Sequence, residues 1–193
     1  MIERSASAIT DWLIECEVIR STERELYHYA VYSALLTISP LILAILVGSL
    51  VGAIGRSMMI IFPFVVIRKF SGGFHAKRPV TCFVSSSALL TACIFLSFCI
   101  QCNWILMGIT FAAAVSLIYF SPIENENRLL SGEEKIRYKR IAMILVLGFV
   151  VTDLLLFLSS LHTYAICISI GLILTACLQY PCIWKICLKN DQY

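Results

Sequence analysis

The sequence predicts an all-α, polytopic membrane protein of about six transmembrane helices, preceded by an N-terminal amphipathic helix. Three observations carry that expectation. Of the 193 residues, 60% are apolar and only 14% are charged, against about 25% charged in an ordinary soluble domain. The charges also fall in blocks: none occurs from Leu26 to Gly55 or from Pro79 to Ile123, and Ile141–Trp184 carries only Asp153. Finally, Lys and Arg crowd into residues 68–78, 124–140 and the C-terminal tail and avoid the connections between. A soluble fold of this size has too little interior for so much apolar surface. The same composition excludes disorder, and a net charge of +3 excludes a strongly basic nucleic-acid binder. The length fits one domain over 1–193.

Residues 1–25 do not read as a signal peptide, because Glu3 and Arg4 open the segment and no early apolar core follows. Ile2, Ala6, Ile9, Leu13, Cys16 and Ile19 recur at helical spacing. That pattern fits a helix lying on the membrane surface or one packed on the membrane domain. Residues 26–67 form either a hydrophobic hairpin turning near Gly48–Gly55 or one span followed by a re-entrant piece; six spans require the hairpin. Gly48-x3-Gly52 permits close helix contact and is slight evidence for a dimer. Residues 68–82 form a polar loop and helix start. Residues 83–123 form a helix pair turning at Gln101–Asn103, and 124–140 a charged loop. A second pair over 141–184 turns at Ser159–Thr163, and 185–193 is a tail. The positive-inside rule places 68–78, 124–140 and the C-terminus in the cytoplasm.

The densest chemistry is Arg68-Lys-Phe-Ser-Gly-Gly-Phe-His-Ala-Lys-Arg-Pro-Val-Thr-Cys82. Gly72-Gly73 frees the backbone, and Pro79 suits the first position of a helix. Cys82 then falls near the end of that helix's first turn. Unpaired amides and the positive end of the helix dipole favour a thiolate there, and Arg68, Lys77 and Arg78 add positive potential. In one continuous helix His75 and Cys82 would lie two turns apart, out of contact. A flexible Gly-Gly and a Pro break let the loop fold His75 back. A Cys beside an imidazole is the minimum for nucleophilic acyl transfer. An isolated pair at this spacing is more often incidental, and the residues alone leave both readings open.

Arg68, Ser71, Gly72, Gly73, His75, Ala76 and Cys82 together resemble the signature of the accessory gene regulator B family, membrane peptidases that process quorum-sensing pro-peptides in Gram-positive bacteria. Ser121-Pro122-Ile-Glu124-Asn125-Glu-Asn127-Arg128 is similar to a second family stretch, with Glu126 where Pro is frequent. The resemblance implies Cys82 as nucleophile and His75 as catalytic histidine, with Arg68 and Gly73 at positions associated with activity. It further implies a multi-pass plasma-membrane enzyme that cuts its pro-peptide and holds the N-terminal part as a Cys82 thioester. A Cys or Ser of the peptide then closes a thiolactone or lactone. A homodimer is implied, and neither metal nor organic cofactor.

Glu124, Asn125 and Asn127 are candidates to orient His75, although a Pro-Asn turn explains them equally. Ser86 either lines the site one turn beyond Cys82 or packs in a helix. Arg68, Lys77 and Arg78 are the first choice for contact with an acidic precursor tail, anionic lipid being the commoner role of such groups. Lys135, Arg137, Lys139 and Arg140 are split by helical spacing and do not all face one ligand. The other eight cysteines read as small apolar side chains. Asp153 either pairs with Arg56 or fixes helix packing. The competing function is a small transporter or exporter using Asp153 and Arg56, but no internal repeat supports it. A scaffold role would leave the Gly-Gly-x-His…Cys cluster without purpose.

Overall fold

The structure is a computed structural model. It describes residues 2–71, 79–123, 131–181 and 184, without the side chains of Ile2, Ser33, Leu36, Thr37 and residues 79–84. Among the described residues it is all-helical: α1 (Ile2–Glu15), α2 (Arg24–Leu50), α3 (Ile54–Ser71), α4 (Pro79–Cys99), α5 (Trp104–Phe120), α6 (Gly132–Leu158) and α7 (His162–Cys177), with a 3-10 turn at Ser21–Glu23.

The N-terminal helix packs on the bundle, one of the two readings of its pattern. Ala6 and Thr10 are buried and α1 packs on α2. Ser7 Oγ lies 3.1 Å from His28 Nε2, and Arg24 Nε donates to Asp11 Oδ1 at 2.9 Å. Trp12, 59% exposed, and Ile9 stay on the outer surface, as an interfacial helix requires. The expected stripe does not run on to Ile19 in one helix. Glu17 takes a φ of 57°, and the amides of Glu17 and Val18 close on the carbonyls of Ile14 and Leu13, which ends α1 in a left-handed cap.

Residues 26–67 resolve as a hairpin. Gly52 turns it at a φ of 69°, a conformation that costs glycine little. A Cβ on Gly48 would lie 2.8 Å from Ser57 Cβ, and Ser57 Oγ donates to the Ala44 carbonyl at 2.6 Å. Gly48 of the small-residue pair therefore serves a close contact between α2 and α3 inside the chain. The next two turns fall where expected, at residues 100–103 and 159–161. Asn103 caps α5 by accepting from the Leu106 amide at 2.9 Å. The charged segment 124–140 is not all loop: α6 starts at Gly132, behind a capping box in which Ser131 and Glu134 exchange hydrogen bonds. Ser-x-x-Glu ahead of an apolar run is a helix start that outweighs the local charge.

The bundle is organised about α7, which packs on α3, α4, α5 and α6 and is buried from Ala165 to Leu172. Its closest approach is to α3. A Cβ on Gly171 would stand 2.6 Å from the Ile60 carbonyl oxygen and 2.7 Å from Pro63 Cγ. One apolar cluster joins Ile60, Ile61, Ile94 and Cys167, and another joins Ile67, Leu117, Val146 and Leu172. Asp153 is 1% exposed and accepts from Ser169 Oγ at 2.8 Å, tying α6 to α7. Arg56 turns to α4 instead, donating to the Ser97 carbonyl at 2.7 Å with its guanidinium 4.0 Å from the Phe98 ring centroid. Of the two roles open to Asp153, packing is the one the geometry favours.

Among the described residues one helix, α6, is long and apolar enough to cross a membrane. Ile38–Leu50, Ser85–Cys99, α5 and α7 are shorter apolar helices. Only 17% of the apolar window of α6 is buried, and Phe111, Ile144 and Leu155 are each at least 60% exposed. Apolar surface on that scale calls for lipid as solvent.

Two outcomes follow from this packing. Gly171→Ala should destabilise the bundle by about 1–3 kcal/mol, the usual cost of overpacking, seen as a lower unfolding midpoint in detergent; an unchanged midpoint would mean that α7 slides freely off α3. Asp153→Ala should cost about 1 kcal/mol, the scale of an interhelical hydrogen bond in a membrane. It should leave the rate of Cys82 alkylation per folded molecule unchanged.

Candidate active site

The described ends of both motif-bearing segments lie at one end of the bundle, where α3 ends, α4 begins, α5 ends, α6 begins and α7 ends. Side-chain pairs fix this arrangement. The rings of Phe70 and Tyr138 lie 5.7 Å apart across α3 and α6, and Ser116 and Tyr180 hydroxyls are 3.1 Å apart across α5 and the end of α7. At the opposite end Trp104 meets Phe157 at 4.8 Å.

The first segment leaves α3 at Ser71 and re-enters helix at Pro79. As its sequence requires, Pro79 opens α4, where its missing donor leaves nothing unpaired. Cys82 is the fourth residue of α4, so its backbone belongs to the first turn, where amides lack intrahelical partners. Arg68 sits in the last turn of α3, its guanidinium carbon 5.2 Å from the Phe64 ring centroid. Ser86 is exposed and lies one turn beyond Cys82, hence on the same helix face. Gly72, Gly73, His75, Lys77 and Arg78 lie outside the described residues, as do Glu124, Asn125, Asn127 and the Cys82 side chain.

A short strap joins the two segments. After α5 the chain runs through Ser121, Pro122 and Ile123, with a cis Ser121–Pro122 peptide. The Ile123 amide donates to the Ser71 carbonyl at 2.9 Å. That carbonyl closes α3, so the strap docks on the last turn of the helix as a cap in trans. Ser121 Oγ in turn accepts from Gln179 Nε2 at 3.2 Å. Ser71, Ser121 and Gln179 are all buried. Among the described residues Gln179 Oε1 has no hydrogen-bond donor, an omission that costs about 1–3 kcal/mol for a buried acceptor.

Beside the strap lies an open depression of about 420 Å³ lined by Tyr119, Phe120, Ser121, Pro122, Lys135, Ile136 and Lys139. Lys135 and Lys139 are one turn apart on α6 and share this face, while Arg137 and Arg140 do not line it. The expected split of the basic residues is thus met, with two of the four grouped. Sequence reasoning missed Gln179 and the Lys135–Lys139 pairing. The pairing was readable from i,i+4 spacing once α6 was extended back to Gly132. Gln179, a lone amide near the end of an apolar run, gave no signal.

Comparison with known proteins follows the same lines. The sequence profile of the family described as Accessory gene regulator B matches residues 6–181, which includes both motif segments. A Halalkalibacterium halodurans protein named as AgrB-like is 29% identical over 117 residues, 60% of this chain and 58% of that relative. The match thus spans less than two thirds of the relative's length. No solved structure matches. With the family match running from α1 to beyond the end of α7, the chain is a membrane protein that belongs to the Accessory gene regulator B family.

Proposed function

We infer that the chain is a multi-pass membrane cysteine endopeptidase that processes a quorum-sensing pro-peptide. The six helices α2–α7 would each cross the bilayer, with the motif-bearing end in the cytoplasm, an orientation that the placement of Lys and Arg supports, and the family resemblance points to a Gram-positive host. Family membership links the chain to peptide processing of this kind. The single observation that carries the catalytic reading is the hydrogen bond from Ile123 to Ser71, which draws the two motif segments together beside the first turn of α4.

In this reading Cys82 Sγ attacks the scissile carbonyl of the pro-peptide, His75 takes the thiol proton, and the same imidazole returns it to the departing amine of the C-terminal tail. The N-terminal part stays on Cys82 as a thioester. A thiol or hydroxyl within the peptide then attacks that carbonyl and frees Cys82 as the ring closes. Exchange between thioesters is nearly isoenergetic, so the ring forms only if water is held off. Arg68, Lys77 and Arg78 supply positive potential for thiolate and substrate. Gly72 and Gly73 give the loop its backbone freedom. Glu124, Asn125 or Asn127 orients His75, and Ser86 lines the face that Cys82 occupies. The depression with Lys135 and Lys139 takes the acidic precursor tail, a second basic contact beside the first. The enzyme works as a homodimer in the bilayer.

Incubation with the pro-peptide encoded beside its gene, in lipid, tests this by intact mass. The expected result is an adduct of precursor minus tail on the wild-type protein and none on Cys82→Ala, with processing abolished in that variant. His75→Ala should slow processing by about 10²–10⁴-fold, the usual contribution of a general base. Normal processing by Cys82→Ala would overturn the mechanism. Lys135→Glu with Lys139→Glu should raise KM more than it lowers kcat.

A further inference from the structure

Gln179 has no place in the chemistry above, yet among the described residues it is the one buried amide side chain at the motif-bearing end, 1% exposed. Its Nε2 holds Ser121, two residues before the Ile123 amide that caps the Ser71 carbonyl. The path Gln179–Ser121–Ile123–Ser71 runs from the end of α7 to the last residue of α3, where the segment bearing His75 begins. A packing residue at this place would be apolar, like Leu172 and Ala176 on the helix just before it, both buried without a polar atom in the side chain. An amide whose second polar atom goes unmatched is a costly way to fill space.

We propose that Gln179 is a positioning residue for the catalytic loop. It holds the 121–123 strap at the height where Ile123 caps α3, and so fixes where the chain leaves α3 toward His75. The inference rests on the peptidase reading and deepens it, by naming what sets the geometry between the two motifs. A displacement of about 1 Å at a reacting centre can cost about a hundredfold in rate, so one hydrogen bond at the root of the loop is enough to matter.

Gln179→Met is the informative variant, because it keeps the length of the side chain and removes donor and unmatched acceptor together, a change that leaves stability nearly neutral. In lipid, with the pro-peptide, kcat should fall at least about tenfold while KM and the unfolding midpoint stay at the wild-type values. Ser121→Ala should reproduce the loss, and the double variant Gln179→Met with Ser121→Ala should be no worse than either single one. Without peptide, alkylation of Cys82 by iodoacetamide, followed by peptide mapping, should slow severalfold in Gln179→Met. Wild-type kcat and wild-type alkylation in a folded Gln179→Met protein would overturn the proposal, and so would additive losses in the double variant. If the wild-type protein processes no peptide, the peptidase reading falls, and the alkylation comparison still decides whether Gln179 positions Cys82.

Discussion

The approach of α7 to α3 governs the placement of the rest. Because residue 171 has no side chain, the backbone of α7 comes within van der Waals reach of the Ile60 carbonyl and the Pro63 ring. In a bilayer, where lipid tails are as apolar as Leu, helices associate through such close packing rather than through a hydrophobic drive. With that contact made, α4, α5 and α6 each pack on α7, and α6 packs on α3 as well. The end of α5 is then delivered beside the end of α3, and the Ser71 carbonyl meets the Ile123 amide. The active end is in this sense a consequence of one glycine near mid-bundle.

A polar layer continues the same logic. Lipid offers no hydrogen bonds, so each buried polar group must find a partner inside the protein. Ser57 finds the Ala44 carbonyl, Asp153 finds Ser169, and Thr175 donates back to the Gly171 carbonyl. The first two of these bonds stitch neighbouring helices, α2 to α3 and α6 to α7, and fix register where apolar contacts alone would allow sliding, while the third stays within α7. Gln179 and Ser121 extend that stitching to the surface, where it meets the motif segments.

Much of this was legible in the sequence, and for physical reasons. The helix pairs were readable because long uncharged runs exceed one bilayer crossing, and the turns because Asn103, Gly52 and Ser159–Leu161 interrupt them. The helix start at Pro79 was readable because a proline has few other places to go. The start of α6 was placed too late, since charge was weighed above the Ser131–Glu134 capping signal. The pairing of Asp153 with Ser169 rather than Arg56 was open to sequence only as a choice between charge and packing; which neighbour comes within reach depends on helix rotation, which no periodicity in an all-apolar helix encodes. The same holds for Gln179.

α6 has 27 residues, about 40 Å of helix at 1.5 Å per residue, against a hydrocarbon core of about 30 Å. Its charged opening turns, Glu133 to Arg140, therefore stand proud of the lipid as a parapet. The parapet carries Tyr138 on the side facing α3 and Lys135 and Lys139 on the side facing the strap. The length of one helix thus sets the height at which two lysines stand beside the Ser71–Ile123 junction.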